Sequence, residues 1–431
     1  MTDPADRADR ADRAALRDLA MSLYDSAIDA ARPDLAVSAA LDASPVELPA
    51  GGACHVIAVG KAAGPMMRAA LDKLPAGARG ERLIVTNYEN DTEIAGVQVF
   101  LAGHPVPNEA GLTAALEVER IAAGAGRDDV LLCLISGGGS ALLPAPVEGI
   151  GLPEKAEVNR LLLGSGADIR QTNLVRQCLS RLKGGGLAAL AAPASTRSLI
   201  LSDVIGDDLR VVASGPTVAP IGTAAEAIET LEDLGIWASV PSSVKDVLSS
   251  GTRPAPASAG EAQLIGSNRM SLSAMREAAD GPAEIVSEEL IGPVEDAAAF
   301  IVGAHLASPA APVLIFGGET TVRLRGRGLG GRNQELALRV ALEAKRRGVA
   351  GPWAFLSGGT DGRDGPTDAA GACVDDGTLD RLLAAGLDAE TFLDTSDSYH
   401  ALEASGDLIP QRPTGTNVAD VQVFLVGERP A

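Results

Sequence analysis

Six apolar residues in a row, Val130 to Ile135, run directly into Ser136-Gly137-Gly138-Gly139-Ser140. An unbroken apolar run with no alternation reads as a strand buried on both faces, as in a parallel sheet. The three glycines then remove side chains where the chain leaves the sheet. Backbone N–H groups are thereby open to an anionic ligand at the carboxyl end of the strand. Ser136 and Ser140 add a hydroxyl on either side.

The pattern recurs. His55–Val59 runs into Gly60-Lys61-Ala62-Ala63-Gly64, Val313–Phe316 into Gly317-Gly318-Glu319-Thr320, and Trp353–Leu356 into Ser357-Gly358-Gly359-Thr360-Asp361-Gly362. Any one such turn can simply be a glycine-capped strand end. Several together, carrying Lys61, Glu319 and Asp361, point to a phosphate-handling site. Further strands are expected at Arg82–Thr86, Val97–Leu101, Ser198–Leu201, Gln263–Ile265 and Val421–Val426, with Thr321–Leu324 able to pair as a short one. Helical spacing covers Ala14–Ala31, Ala62–Leu74, a helix capped by Asn108, Leu152–Leu163, Asp168–Leu182, Ser267–Ala279, Glu295–Ala307 and Gly331–Arg347. Strands alternating with helices argue for a parallel α/β sheet. The ADR triplets of residues 1–13 read as disorder or a frayed helix start, and the Pro-, Ser- and Gly-rich stretch Ser249–Gly260 as an exposed connection.

A chain of 431 residues suits two domains better than one. Its formal net charge of −21 and aromatic content of 3% oppose nucleic-acid and anionic-membrane partners. No apolar run is long enough for a membrane span, and the acidic N-terminus lacks a secretory h-region. Cys54, Cys133, Cys178 and Cys373 form no C-x-x-C pair and read as reduced thiols in a cytoplasmic protein. The four histidines show no zinc spacing.

Against this acidic background, certain residues stand out. Lys61 follows a buried strand and a glycine, where it could neutralise transferring phosphate; a surface lysine near a helix start is the plainer alternative. Asp203, Asp207 and Asp208 follow the strand ending at Leu201, as magnesium holders or helix caps. The helix from Asp168 carries Arg170, Asn173, Arg176 and Arg181 on a partly shared face and ends in Lys183-Gly184-Gly185-Gly186. Arg323, Arg325, Arg327 and Arg332 form the most basic segment, able to focus anions locally. Gly326, Gly328 and Gly331 formally match a dinucleotide fingerprint. The strand before them is short, and no carboxylate follows at the required interval, so a flexible glycine hairpin is the better reading. Ser357–Gly371 carries Asp361, Asp364 and Asp368 in a glycine-rich loop suited to a ligand.

Taken in order, Gly60-Lys61-Ala62-Ala63, Gly103-His104-Pro105, Ile135 to Ala141, Lys183-Gly184-Gly185, Ser202-Asp203-Val204 with Gly206-Asp207, Gly215-Pro216-Thr217 and Gly331-Arg332-Asn333-Gln334-Glu335 resemble the class II glycerate kinases, whose chains end in the MOFRL domain. The resemblance runs from about Ala15 to Val426. It implies an α/β fold of two lobes, a larger Rossmann-like parallel-sheet domain and a smaller C-terminal α/β (MOFRL) domain, with the active site in the cleft between them. Placed on this chain, the domains are 1–255 and 256–431, the MOFRL part at about 312–426. The resemblance implies ATP-dependent, Mg²⁺-requiring phosphorylation of D-glycerate to 2-phosphoglycerate. Lys61 and Arg332 are then the functional pair, with Asp361 as a further catalytic residue. Gly60, Ser136, Gly137, Gly138, Gly139, Ser140, Lys183 and Asn333 are expected at phosphate or nucleotide, Arg325, Glu319 and Thr320 at substrate, and Asp203 and Asp207 at metal. Some relatives carry an older hydroxypyruvate reductase label, which makes an NAD(P)H-dependent reductase the competing expectation. Whether the chain forms a homodimer is left open.

Overall fold

The computed structural model describes residues 4–251, 260–308 and 312–427. The chain divides into two compact units, residues 33–265 and residues 1–32 with 266–431. The expected division at 255/256 is therefore corrected at its N-terminal end. The helix Pro4–Ala30, which takes in most of the ADR repeat, belongs to the C-terminal unit. Leu23, Tyr24 and Ala27 on that helix are buried against Ile315, Leu356 and Val423 of that unit's sheet. Most of the predicted connection Ser249–Gly260 lies outside the described residues.

The first unit is built on β1 (Cys54–Val59), β2 (Arg82–Asn87), β3 (Gln98–Ala102), β4 (Val130–Ile135), β5 (Ser195–Leu201) and β6 (Glu261–Gly266). They form one sheet in the order β3-β2-β1-β4-β5-β6, in which the β3–β2, β2–β1, β1–β4 and β4–β5 pairs are parallel. This is the strand order of doubly wound nucleotide-binding folds. The unbroken apolar run has its expected cause, since every residue of β4 is buried. Leu131, Cys133 and Ile135 share a core with Val118 and Ile121 of the helix Glu109–Gly124, whose N-terminal N–H of Gly111 is capped by Asn108. A separate helical group, Leu152–Gly164, Ile169–Cys178, Ala224–Asp233 and Ser242–Ser250, packs on its own core around Val158, Leu162, Val175, Leu231 and Val244.

The second unit contains β7 (Ala283–Ser287), β8 (Gly292–Pro293), β9 (Val313–Gly318), β10 (Thr320–Thr321), β11 (Trp353–Gly359), β12 (Ala369–Asp375), β13 (Leu408–Pro410) and β14 (Asp420–Val426). Its main sheet runs β13-β12-β11-β14-β9-β7 and is mixed. Only the β7–β9 pair is parallel, and the other four pairings are antiparallel. The parallel sheet expected from alternation is thus found in the first unit and not in this one. Buried antiparallel strands covered on both faces carry the same unbroken apolar signal as parallel ones. The faces are covered by Pro4–Ala30 with Asn268–Ala278 on one side, and by Val294–Ala307 with Arg332–Arg346 on the other. β10 is confined to Thr320–Thr321 and pairs with β8, so the expected strand through Leu324 stops short. No described helix is long and apolar enough to cross a membrane.

All four cysteines are free and buried. Burial pushes the Cys133 thiol up to about 12 and Cys54 to about 11, which makes both poor nucleophiles.

Candidate active site

In the first unit the ends of β1 and β4 clasp each other. Ser136 N–H donates to Val59 O at 2.9 Å, Lys61 N–H to Gly137 O at 2.9 Å, and Ala62 N–H to Ser136 Oγ at 3.1 Å. Gly60 has φ +123°, and a Cβ on it would collide with Ser136. Glycine is therefore required at this crossing. Ser136 is spent on the clasp: its hydroxyl is buried and also faces Val59 O.

Gly138 takes the left-handed conformation, φ +86°, and opens the short helix Gly139–Leu142. A Cβ there would lie 3.1 Å from His104 Cδ2 and 3.4 Å from Lys61 Cγ. Lys61 and His104 thus flank one bare stretch of backbone. Burial first, and then the Lys61 ammonium, depress the His104 pKa, which favours the neutral imidazole. A Cβ on Gly137 would collide with the Asp203 carboxylate, so Asp203 borders the same turn. Asp207 stands further along its loop with φ +54°. Among the described residues no three His, Cys, Asp or Glu side chains are grouped as a metal cage. One carboxylate beside bare backbone N–H groups is nonetheless a donor set that would suit Mg²⁺, which takes its remaining ligands from phosphates and water. Asp203 fits that role better than Asp207.

Ser140 Oγ shares a hydrogen bond with Ser214 Oγ at 2.8 Å. Lys183 is buried, its Nζ donating to Ser140 O at 2.6 Å and Leu143 O at 3.3 Å. Desolvation, with Lys155 and Arg176 nearby, holds its pKa well below the usual lysine range. Through these two carbonyls Lys183 braces the turn.

In the second unit, Arg332 begins the helix Arg332–Arg346. Its guanidinium grips Asp420 in bidentate fashion, Nε to Oδ2 at 2.5 Å and Nη2 to Oδ1 at 3.0 Å, and Nη1 pairs with Glu319. Burial pushes the Asp420 carboxyl up to about 6 against the pull of Arg332. Asp364, also buried, receives the N–H groups of Asn333 and Gln334 at 3.1 and 2.8 Å and so caps the helix. Asn333 is consumed as well: its side chain donates to Asp364 Oδ1 at 3.3 Å and accepts from Ser357 Oγ at 2.6 Å. Asn333 thus locks the helix start to Ser357. Asp361 is half-buried, and its Oδ1 accepts Arg363 N–H at 3.0 Å. Thr320 is buried in β10. Arg325, expected at substrate, instead gives its guanidinium to Glu295 at 2.9 Å and Asp394 at 3.8 Å.

The glycines of the formal dinucleotide fingerprint serve packing. Gly326 lies against the backbone of Thr395, Gly328 against Asp397, and Gly331 against Asp364. The bare backbone meets protein, and Leu329 N–H is held by Asp397 Oδ1 at 2.8 Å. In place of the expected flexible hairpin there is a segment fastened to residues 395–398.

The expected residues therefore fall into two groups, one in each unit. Gly60, Lys61, Ser136 to Ser140, Lys183, Asp203 and Asp207 belong to the first, and Glu319, Thr320, Arg325, Arg332, Asn333 and Asp361 to the second. Asp420 and Asp364, which fix Arg332 and its helix, were not singled out for that role. Asp420 had a signal, an acid at the head of the apolar run Val421–Val426.

Residues 19–249 match the model of a domain of unknown function, DUF4147, and residues 312–420 that of the MOFRL family. The chain is 39% identical to the D-glycerate 2-kinase of Thermotoga maritima, over 96% of this chain and 99% of that one. It is 38% identical to the glycerate 2-kinase of Pyrococcus horikoshii, over 95% and 97%. The crystal structure of a Thermotoga maritima glycerate kinase superposes with a TM-score of 0.88 at 37% identity, covering 96% of this chain and all of that one. With both domain models matched in order and relatives aligned nearly end to end, the chain belongs to the DUF4147–MOFRL glycerate kinase family.

Proposed function

We propose that the chain is a glycerate 2-kinase, transferring the γ-phosphoryl group of ATP to the 2-hydroxyl of D-glycerate to give 2-phosphoglycerate. The observation that carries this reading is the Gly137–Gly139 turn flanked by Lys61. Bare N–H groups and a cation meet at the carboxyl end of a parallel sheet, where phosphate is ordinarily held. The names of the aligned relatives support the same chemistry.

Phosphoryl transfer to an alcohol asks for positioning and charge neutralisation more than covalent help. The backbone of Gly137 to Gly139 would cradle phosphate oxygens, and Lys61, held by its own N–H to Gly137, would balance the charge that builds on the moving group. Asp203 would hold Mg²⁺, which when bound neutralises phosphate oxygens. Arg332, set at a fixed angle by Asp420, would present its remaining N–H to an anionic group. Asp361, whose second carboxylate oxygen is not used in its own turn, would orient the acceptor hydroxyl or take its proton.

The reductase alternative meets a structural objection. In this strand order the dinucleotide fingerprint belongs in the first strand-to-helix turn. That turn here is Gly60-Lys61-Ala62-Ala63-Gly64, without the second glycine that lets backbone approach a pyrophosphate. One Agrobacterium vitis relative, 38% identical, does carry a provisional hydroxypyruvate reductase name. The deciding experiment incubates the protein with ATP, Mg²⁺ and D-glycerate and identifies the phosphoglycerate isomer by NMR. Oxidation of NADH by hydroxypyruvate without ATP, and no phosphoglycerate, would transfer the assignment to the reductase.

A further inference from the structure

Beside the glycine turn lies a cavity of about 210 Å³ in the first unit, lined in part by His104, Gly138, Ser140, Lys155, Arg176 and Lys183. No Asp or Glu is among its lining residues. In a chain with 57 acidic and 36 basic residues, this space gathers three basic side chains and no acid.

Neither Lys155 nor Arg176 pairs with a carboxylate among the described residues. Lys155 Nζ donates to the carbonyls of Pro144 at 2.5 Å and Leu179 at 3.1 Å. Arg176 donates from Nε to Asn159 Oδ1 at 2.7 Å, which orients the guanidinium and commits one of its five N–H donors. Lys155 comes from the helix Leu152–Gly164 and Arg176 from Ile169–Cys178, two helices that share an apolar core. The fold thus holds like charges together in a partly desolvated place, at a cost that a bound anion would remove. Burial, with Arg176 and Arg181 nearby, pushes the Lys155 pKa down to about 7, a consequence of the same crowding.

Size decides what kind of anion. The cavity is smaller than the ~300–1,000 Å³ of pockets that enclose drug-sized ligands, so a nucleotide does not fit within it. A three-carbon hydroxy acid does. Gly138 and Ser140 of the turn are among the cavity's walls, and Lys61 lies against Gly138, so a hydroxy acid held in it sits beside the bare N–H groups and Lys61.

Building on the kinase reading, we propose that this cavity is the acceptor subsite, in which Lys155 and Arg176 bind the carboxylate of a small hydroxy acid and set the preference for short acids. Longer acids and uncharged polyols are poor acceptors because the cavity is small and its basic side chains select a carboxylate.

The test is calorimetric binding of D-glycerate, without nucleotide, to the parent protein and to Lys155→Gln, Arg176→Gln and Arg176→Lys, with ADP titrated separately. Each neutral variant should weaken D-glycerate about 10–100-fold, the loss expected for a charge-assisted hydrogen bond. Arg176→Lys should recover part of that loss, and ADP affinity should stay within threefold in every variant. Unchanged D-glycerate affinity in folded neutral variants overturns the proposal, as does a parallel loss of ADP. A crystal of the parent protein grown with D-glycerate answers independently of any variant's folding. The carboxylate must lie within hydrogen-bond distance of Lys155 Nζ or the Arg176 guanidinium, and an acid bound elsewhere, or a cavity without it at saturating concentration, overturns the proposal. Binding needs no turnover, so these outcomes stand apart from failure of the kinase reading, which shows as absence of ATP-dependent phosphoglycerate from the parent.

Discussion

The Asp364 carboxylate occupies the space that a side chain on residue 331 would need, and from there it receives the N–H groups of Asn333 and Gln334 at the start of the Arg332 helix. Gly331 is thus the condition for the cap, and the cap is the condition for the direction in which Arg332 leaves the helix. Gly331→Ala should push Asp364 aside and cost ~1–3 kcal/mol, the range for a crowded core, through overpacking together with the lost cap. Urea unfolding measures the cost. Because Arg332 moves with the helix end, kcat should fall by more than the stability loss alone explains. A stable Gly331→Ala enzyme with the parent's kcat would show that the cap and the site are independent.

Lys61→Ala separates chemistry from folding. The main-chain bond from residue 61 to Gly137 survives the substitution, and the side chain is only half-buried. The unfolding midpoint should hardly change while kcat drops ~10²–10³-fold, the usual consequence of removing one preorganised stabilising group. A kcat near the parent value would return Lys61 to the role of a surface cation at a helix start.

Much of this was legible in the chain, for reasons that particular residues make plain. Val130–Ile135 is found as β4 with its predicted boundaries, because an apolar run cut off by glycine admits few alternatives. Asn108 was read from local chemistry as a helix cap and is one. Pairing direction was not legible: β11 and β14 look like buried parallel strands but run antiparallel, since both faces are covered by helices. β12 was hidden at the end of a loop rich in aspartate and glycine, its residues Ala369 to Asp375 too small and mixed to announce a strand. Ser136, Lys183 and Asn333 also hold backbone or neighbouring side chains, and only tertiary contacts reveal that. Lys155 gave no signal, and Arg176 only that of a basic helix face, because two helices bring together residues that are 21 positions apart.

Asp203→Asn tests the metal assignment. The amide keeps the shape that packs on Gly137 but loses the charge. The Mg²⁺ concentration giving half-maximal rate should rise at least tenfold, with the KM for D-glycerate little changed. Asp207→Asn, made in parallel, should shift the Mg²⁺ requirement far less. Equal effects of the two substitutions would mean that the pair acts together, against the placement of Asp203 alone at the turn.

Arg332 and Asp420 make the last prediction one of pH. Asp420 is buried and already titrates near 6 with Arg332 beside it. A carboxyl whose folded pKa lies above its unfolded value of 3.8 favours the folded state when protonated, and that contribution is lost as pH rises through the folded pKa. In the parent this loss is complete a little above pH 6. In Arg332→Ala the guanidinium no longer supports the carboxylate, so the folded pKa moves higher and the loss continues to higher pH. Destabilisation of the variant relative to the parent should therefore be small at pH 5 and grow above pH 6, to about 3 kcal/mol by pH 8, the lower end for a buried charge deprived of its partner. Unfolding curves at pH 5, 6, 7 and 8 measure it. Arg332→Lys restores a charge but not the two-pronged grip, so it should recover most of the stability at pH 8 and little of the kcat. A lysine variant as active as the parent would leave Arg332 with a purely electrostatic role. A destabilisation that does not vary with pH would show that packing of the arginine stem, and not the Asp420 charge, is what the substitution removes.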